Sequence, residues 1–279
     1  MKENIINNLS EIKQKYRDSN MPWSEAFEAF IKKYSYEDGY MLQMDGIIDK
    51  AKWDKYDTKI LFVLKDSYRE IDKNNGEIAD KNYIYDLTYR WSTTNREKMR
   101  YTPKALCGWL DVFYDKLFDL SYPENNILHT AAMINLSKRA SPTVRTQSGV
   151  MKYSVIHDSK ELYLQFKEIA PKIVVYCNSG NYFFDILYRG ETNNFTAKKI
   201  PSREVEEFKQ KRLTLISTKD LPVQTENGTV NKINIYAYDN ILIFHPYHPT
   251  ARGKFKATKE DFEYLIELYK EQLLSILNK

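Results

Sequence analysis

Between Lys59 and Tyr68 the chain reads Lys-Ile-Leu-Phe-Val-Leu-Lys-Asp-Ser-Tyr. Five apolar residues, Ile60–Leu64, follow one another without a polar break. The run is too short for a helix and lacks the alternation of a half-exposed strand, so it predicts a strand buried on both faces. Such strands belong to sheets covered by helices on either side, which restricts the fold more than any other stretch. The run stops at Lys65-Asp66-Ser67-Tyr68, a polar elbow at the carboxyl end of the strand. Ligands bind there in open α/β sheets, which makes Asp66 the first candidate for chemistry; on this stretch alone the cap of a following turn is the favoured role.

Three further runs repeat the pattern. Ile127–Leu136 leads into Ser137-Lys138-Arg139, Ile173–Tyr176 into Asn178-Ser179-Gly180, and Ile241–Phe244 into His245-Pro246-Tyr247-His248-Pro249. Helices are expected between them. Thr102-Pro103 is a start signal for a helix with Leu106, Leu110, Phe113 and Leu117 on one face. Asp158-x-x-Glu161 and Thr258-x-x-Asp261 read as capping boxes for two more. Residues 1–57 read as a helical N-terminal layer, with Trp23, Phe27, Phe30 and Ile31 at helical spacing. The expected fold is a three-layer α/β/α sandwich around a four-stranded, mainly parallel sheet, in one domain spanning residues 1–279. Two segments break the rhythm. Residues 69–101 form either a loop beside the Asp66 elbow or a plain surface insertion. Residues 189–240, with an Asn227-Gly228 turn, add antiparallel strands to the sheet or make a small inserted hairpin.

Composition excludes more than it selects. A charged fraction of 29% beside an apolar fraction of 42% describes a folded globular chain rather than a disordered one. Two cysteines, Cys107 and Cys177, are too few for a disulfide framework or a four-cysteine metal or iron–sulfur site, so no cofactor is expected. No apolar stretch reaches the length of a leader or a membrane span, and a cytoplasmic, monomeric protein is expected. The net charge of +4 permits a polyanionic partner without requiring one. The 22 tyrosines fit a stacking surface, but a coding bias that also enriches Lys, Asn and Ile accounts for them more simply.

With a parallel sheet, Asp66, Asn135, Asn178 and the His245–His248 turn share one rim. A carboxylate can position water, an amide reads a base edge with a donor and an acceptor, and a histidine stabilises a leaving anion. Those parts suffice to hydrolyse an N-glycosidic bond.

On these residues the chain resembles the uracil-DNA glycosylase superfamily. Val63-Leu64-Lys65-Asp66-Ser67-Tyr68 is similar to the first motif, where a strand ends in Asp-Pro-Tyr. Met133-Ile134-Asn135-Leu136-Ser137-Lys138-Arg139-Ala140-Ser141-Pro142-Thr143-Val144-Arg145 is similar to a Thr-Asn-x-x-Lys-x-x-Pro-Pro-x-x-Arg pattern. Ala170-Pro171-Lys172-Ile173-Val174-Val175 resembles a Pro-Lys-x-Ile-Val segment, and His248-Pro249-Thr250-Ala251-Arg252 resembles the second catalytic motif, His-Pro-Ser-Pro. The resemblance implies DNA as partner, a nucleotide flipped out of the stack, and excision of its base. It implies that Asp66 positions the water and that His248, or alternatively His245, stabilises the departing base. Asn135 would read the pyrimidine edge, with Tyr68, Ser67 and Asn178 lining the pocket. Lys138, Arg139, Arg145, Arg252 and Lys254 would contact phosphates.

The sequence departs from the family at Ser67 and Ala251, where prolines are usual, at Leu64, where glycine is usual, and in lacking the cluster cysteines. These departures favour a bulkier, modified pyrimidine over uracil, and with it a role in defence against phage. The competing expectation is a non-catalytic nucleic-acid-binding module on the same fold.

Overall fold

The computed structural model describes residues 24–34, 42–65, 84–86, 94–99, 102–122, 125–138, 148–178, 180–217, 233–246 and 257–279, together with Ser10, Lys13, Gln14, Arg17, Asp18 and Trp91. The run that opens the argument is strand β2 (Ile60–Leu64), with all five residues buried. It pairs in parallel with β4 (Ala131–Asn135) on one side and β5 (Ile173–Tyr176) on the other, and β5 pairs in parallel with β8 (Ile241–His245). Beyond β8 the sheet continues antiparallel, through β7 (Asn234–Tyr238) to the two-residue β6 (Thr214–Leu215). The order is β4-β2-β5-β8-β7-β6.

The expected four strands are therefore four of six, and of the two readings of residues 189–240 the one that adds antiparallel strands to the main sheet holds. Asp239, at φ 51°, turns β7 into β8 within two residues. Aspartate tolerates that left-handed backbone, and the tight connection leaves β7 no place but beside β8. The Asn227-Gly228 turn lies outside the described residues.

Alternate residues of the buried strands serve two separate cores. Ile60, Phe62, Met133, Val175 and Phe244 pack with α3 (Thr102–Val112), the π-helical turn Phe113–Leu117 and α7 (Lys259–Leu277). Leu61, Val63, Ile134, Val174 and Ile243 pack with α4 (Ser148–Ile169), α5 (Tyr182–Thr192) and α6 (Ser202–Arg212). Uninterrupted apolar strands are what a sheet with helices on both faces demands. The capping box at α7 forms as read: Asp261 N–H donates to Thr258 Oγ1 at 3.2 Å, and Thr258 N–H to Asp261 Oδ2 at 2.8 Å.

Three expectations are corrected. Asp158 does not cap a helix; α4 begins at Ser148, and Asp158 is buried mid-helix, 3.2 Å from Lys33 Nζ of α1 (Glu25–Tyr34). A carboxylate three residues before a glutamate looks the same in sequence whether it caps or pairs. The N-terminal layer is not wholly helical: besides α1 and α2 (Lys50–Lys55) it contains β1 (Leu42–Met44), which pairs in parallel with β3 (Ile84–Asp86) as a separate small sheet. Finally, the first part of the Ile127–Leu136 run is a 3-10 turn, Ile127–Thr130, ahead of the strand.

Of the two outer strands of the main sheet, β4 is shielded and β6 is short. Gly46 and Ile48 bond to β4 through Met133 N–H to Gly46 O and Ile48 N–H to Ala131 O, with an Ile47–Ala132 bridge between them. On the other side β6 is only two residues long.

Helices α4 and α5 approach most closely at Gly190, where an added Cβ would lie 2.2 Å from the Tyr163 ring. Gly190→Ala is expected to cost about 1–3 kcal/mol through displaced packing, read as a lowered urea midpoint. A midpoint equal to that of the parent would show that the ring moves freely.

Candidate functional site

The first of the parallel strands in sequence, β2, lies between the second, β4, and the third, β5. The connection out of β2 thus leads to β4 on one side and the connection out of β4 crosses to β5 on the other, and the crevice outside the carboxyl ends of β2 and β5 is the ligand position such sheets offer. Register sets what meets there. Leu64 pairs with Asn135 and Val63 with Tyr176, while Ser137 N–H donates to Lys65 O at 2.8 Å. The chain thus enters the Asp66 elbow at the centre of the rim, between Ser137 and the Cys177-Asn178 end of β5. Asn135 and His245 end the outer two of four neighbouring strands, three intervals or roughly 14 Å apart. That spacing accommodates a pyrimidine ring between two side chains.

The residues expected at this rim divide three ways. Asn135, Asn178 and His245 are at strand ends as expected. Asp66, Ser67, Tyr68, Arg139, Arg145, His248, Arg252 and Lys254 lie outside the described residues. Lys138 is the correction. Expected at a phosphate, it is fully buried, with Nζ 2.5 Å from Asp45 Oδ1 and 5.5 Å from the centre of the Phe30 ring. Burial pulls its pKa down and Asp45 opposes that shift. An ammonium enclosed in this way holds the interior together and faces no phosphate.

Asp45, just after β1, is the residue that sequence reasoning missed. It is buried and collects donors from three places. Asn135 gives it both the backbone N–H at 2.6 Å and the side-chain Nδ2 at 3.1 Å, on Oδ2. Gln165 Nε2 reaches Oδ1 at 2.8 Å and the Asp45 carbonyl at 3.1 Å, and Lys138 completes the set. A carboxylate only accepts, so the Asn135 amide must turn its nitrogen to Asp45. One Nδ2 hydrogen is thereby used, and Asn135 is itself buried. The one sequence clue was a lone charge in the stretch Met41-Leu42-Gln43-Met44-Asp45-Gly46-Ile47-Ile48, where Gln43 is the one other polar side chain.

His245 stacks on Tyr176 with ring centres 4.6 Å apart and meets Phe184 edge-on. Its Nε2 lies 2.5 Å from Asn178 O; a carbonyl accepts only, so Nε2 carries the proton. Burial, with a smaller push from Lys209, lowers the His245 pKa to about 4, so the ring is neutral at pH 7. Both cysteines are free and buried, which pushes the Cys107 thiol up to about 11 and the Cys177 thiol well above its usual value. Neither supplies a thiolate nucleophile at neutral pH. Among the described residues no group of three His, Cys, Asp or Glu side chains could hold a metal ion. No helix among them is long and apolar enough to cross a membrane.

No family model and no curated protein matches this sequence. Functional assignment therefore rests on the rim and its chemistry.

Proposed function

We propose that the protein is a DNA glycosylase on a three-layer α/β/α sandwich, hydrolysing the N-glycosidic bond of a flipped-out pyrimidine to leave an abasic site. The observation that carries the reading is the convergence of Asn135, Asn178 and His245 with the entry to the Asp66 elbow at one switch-point crevice. In this reading Asp66 orients a water and offsets positive charge on the sugar as the bond from C1′ to the base breaks. The water oxygen bonds to C1′, its proton leaves, and the base departs as an anion that is then protonated. Of the two histidines, His248 takes the departing-base role. The proton on His245 Nε2 is committed to Asn178 O and its ring is clamped against Tyr176, which leaves that role to His248.

Asn135 reads the base through Oδ1 and its remaining N–H, its polarity set by Asp45. Arg139, Arg145, Arg252 and Lys254 supply phosphate contacts, which makes binding steeply salt-dependent. Ser67 in place of proline and Leu64 in place of glycine favour a bulky, modified pyrimidine, and with it a cytoplasmic defence role.

The test is incubation with single- and double-stranded oligonucleotides carrying uracil, mismatched thymine, hydroxymethylcytosine or its glucosylated form. Alkali-labile sites are expected for the wild type on at least one of these, reduced about a hundredfold or more in Asp66→Ala and in His248→Ala. DNA binding without abasic product across the panel overturns the enzyme and leaves the binding module.

A further inference from the structure

A cleft of about 310 Å³ opens beside the His245–Tyr176 stack, among the starts of α5 and α6 and the first third of α4. The two sites touch through Gly180, which lines the cleft and whose carbonyl accepts from Tyr176 Oη at 2.7 Å. The apolar side is Val155, Ile156, Ile200 and Val205, with Tyr182 at the entrance to α5. The polar side carries Lys152, Lys199 and Asp185.

Part of the surface charge is paired off and part is not. Lys33, Lys50, Lys116, Lys172, Lys209 and Lys270 are each within 4 Å of a carboxylate. Lys152 and Lys199 have no carboxylate partner among the described residues, although both line one concavity. Asp185 is already engaged: Arg189 Nε donates to it at 2.6 Å. That arginine is fully buried, and its other nitrogens reach the carbonyls of Thr196 at 2.8 Å and Lys198 at 2.6 Å. It thereby fastens the turn that delivers Lys199 and Ile200 to the cleft wall, so the wall is formed before any ligand arrives. The amino ends of α5 and α6 point their dipoles' positive ends this way, offset in part by Asp185 and Glu204 in the first turns, and neither end has a side-chain cap. Asn181 turns its side chain to Glu206 and Lys209, and Pro201 has no acceptor to offer.

We propose that this cleft binds one nucleotide unit, its ring against Val155, Ile200 and Val205 and its phosphate between Lys152 and Lys199. The volume lies at the lower end for small-molecule pockets, enough for one nucleotide and too little for two. Asp185 accepts a hydrogen bond from a ligand N–H or O–H and repels a second phosphate, which selects a monophosphate. The unit comes either from a free mononucleotide or from a nucleotide within a strand whose neighbour occupies the rim.

Calorimetric titration with thymidine, thymidine monophosphate, inorganic phosphate and a thymidine tetranucleotide tests the proposal on the intact chain. Thymidine monophosphate is expected to bind more tightly than thymidine or phosphate alone, and about tenfold more weakly to Lys152→Glu and to Lys199→Glu. Val205→Phe, which fills the apolar side, is expected to abolish the titration. Both lysines are exposed, so unchanged melting of their variants guards against misfolding as the cause. If only the tetranucleotide binds and the lysine variants weaken it, the source is a strand. If neither nucleotide binds, or the lysine variants bind as the parent does, the cleft is not a nucleotide site. Phosphate binding as tightly as the mononucleotide also overturns the proposal. Excision is not part of this readout, so failure of the glycosylase reading would be seen separately.

Discussion

Asp45→Ala is expected to destabilise the protein by about 3–5 kcal/mol, read from urea unfolding at neutral pH. The substitution leaves the buried Lys138 ammonium without its nearest counter-charge and strands Asn135 N–H and Asn135 Nδ2 without their acceptor, while Gln165 Nε2 keeps only the backbone carbonyl of residue 45. Each stranded donor carries a desolvation penalty of about 1–3 kcal/mol, moderated where the site collapses or admits water. A second substitution separates charge from hydrogen bonding. Lys138→Met in the Asp45→Ala background removes the orphaned charge and should recover part of the loss, so the pair is strongly non-additive. A single-variant loss below about 1 kcal/mol would mean that water reaches the pair and that Asp45 does not organise this end of β4. The consequence for a ligand is separate. Without Asp45 the Asn135 amide loses the acceptor that fixes its polarity, and base discrimination should fall along with rate.

Acid is expected to unfold the protein over a window that His245 defines. Its pKa is 6.5 in an ordinary setting and about 4 here, because burial against Tyr176 and Phe184 disfavours the imidazolium. Between those values the unfolded chain binds a proton that the folded chain refuses, so stability falls as pH falls. The contribution is fully present above pH 6.5 and lost as pH drops through about 4, in total about 3 kcal/mol. His245→Phe retains a ring for Tyr176 and removes the titration. Urea midpoints of parent and variant, taken from pH 7.5 to 4.5, should therefore converge towards acid. Parallel curves would show that His245 protonates normally in the folded protein.

The parts of the fold visible in sequence are those with short-range causes. Ile60–Leu64, Ile173–Tyr176 and Ile241–Phe244 stand out because strands buried on both faces cannot carry polar residues, and Thr258 and Asp261 cap α7 within one turn. From the strand ends, the positions of Asn135, Asn178 and His245 followed. What could not be seen depends on distant contacts. Asp158 carries the same local signal as a cap, and its burial against Lys33 of α1 decides otherwise. Lys138 sits in a basic cluster, Lys138-Arg139, that reads as phosphate-binding; Asp45, 93 residues away in sequence, draws it inside. Asp45 itself has no motif, since its role is defined by donors from β4, α4 and the segment after β4.

The covered margin of β4 and the shortness of β6 govern how copies of this chain meet. A sheet whose outermost strand is bare offers a row of N–H and C=O groups on which a foreign strand can grow. Here the Gly46–Ile48 segment already occupies those groups on β4, and β6 presents two residues, too few to template a ladder. At these two margins a concentrated solution should resist fibril-like association, and self-association through the main sheet would have to proceed through side-chain surfaces rather than by sheet extension.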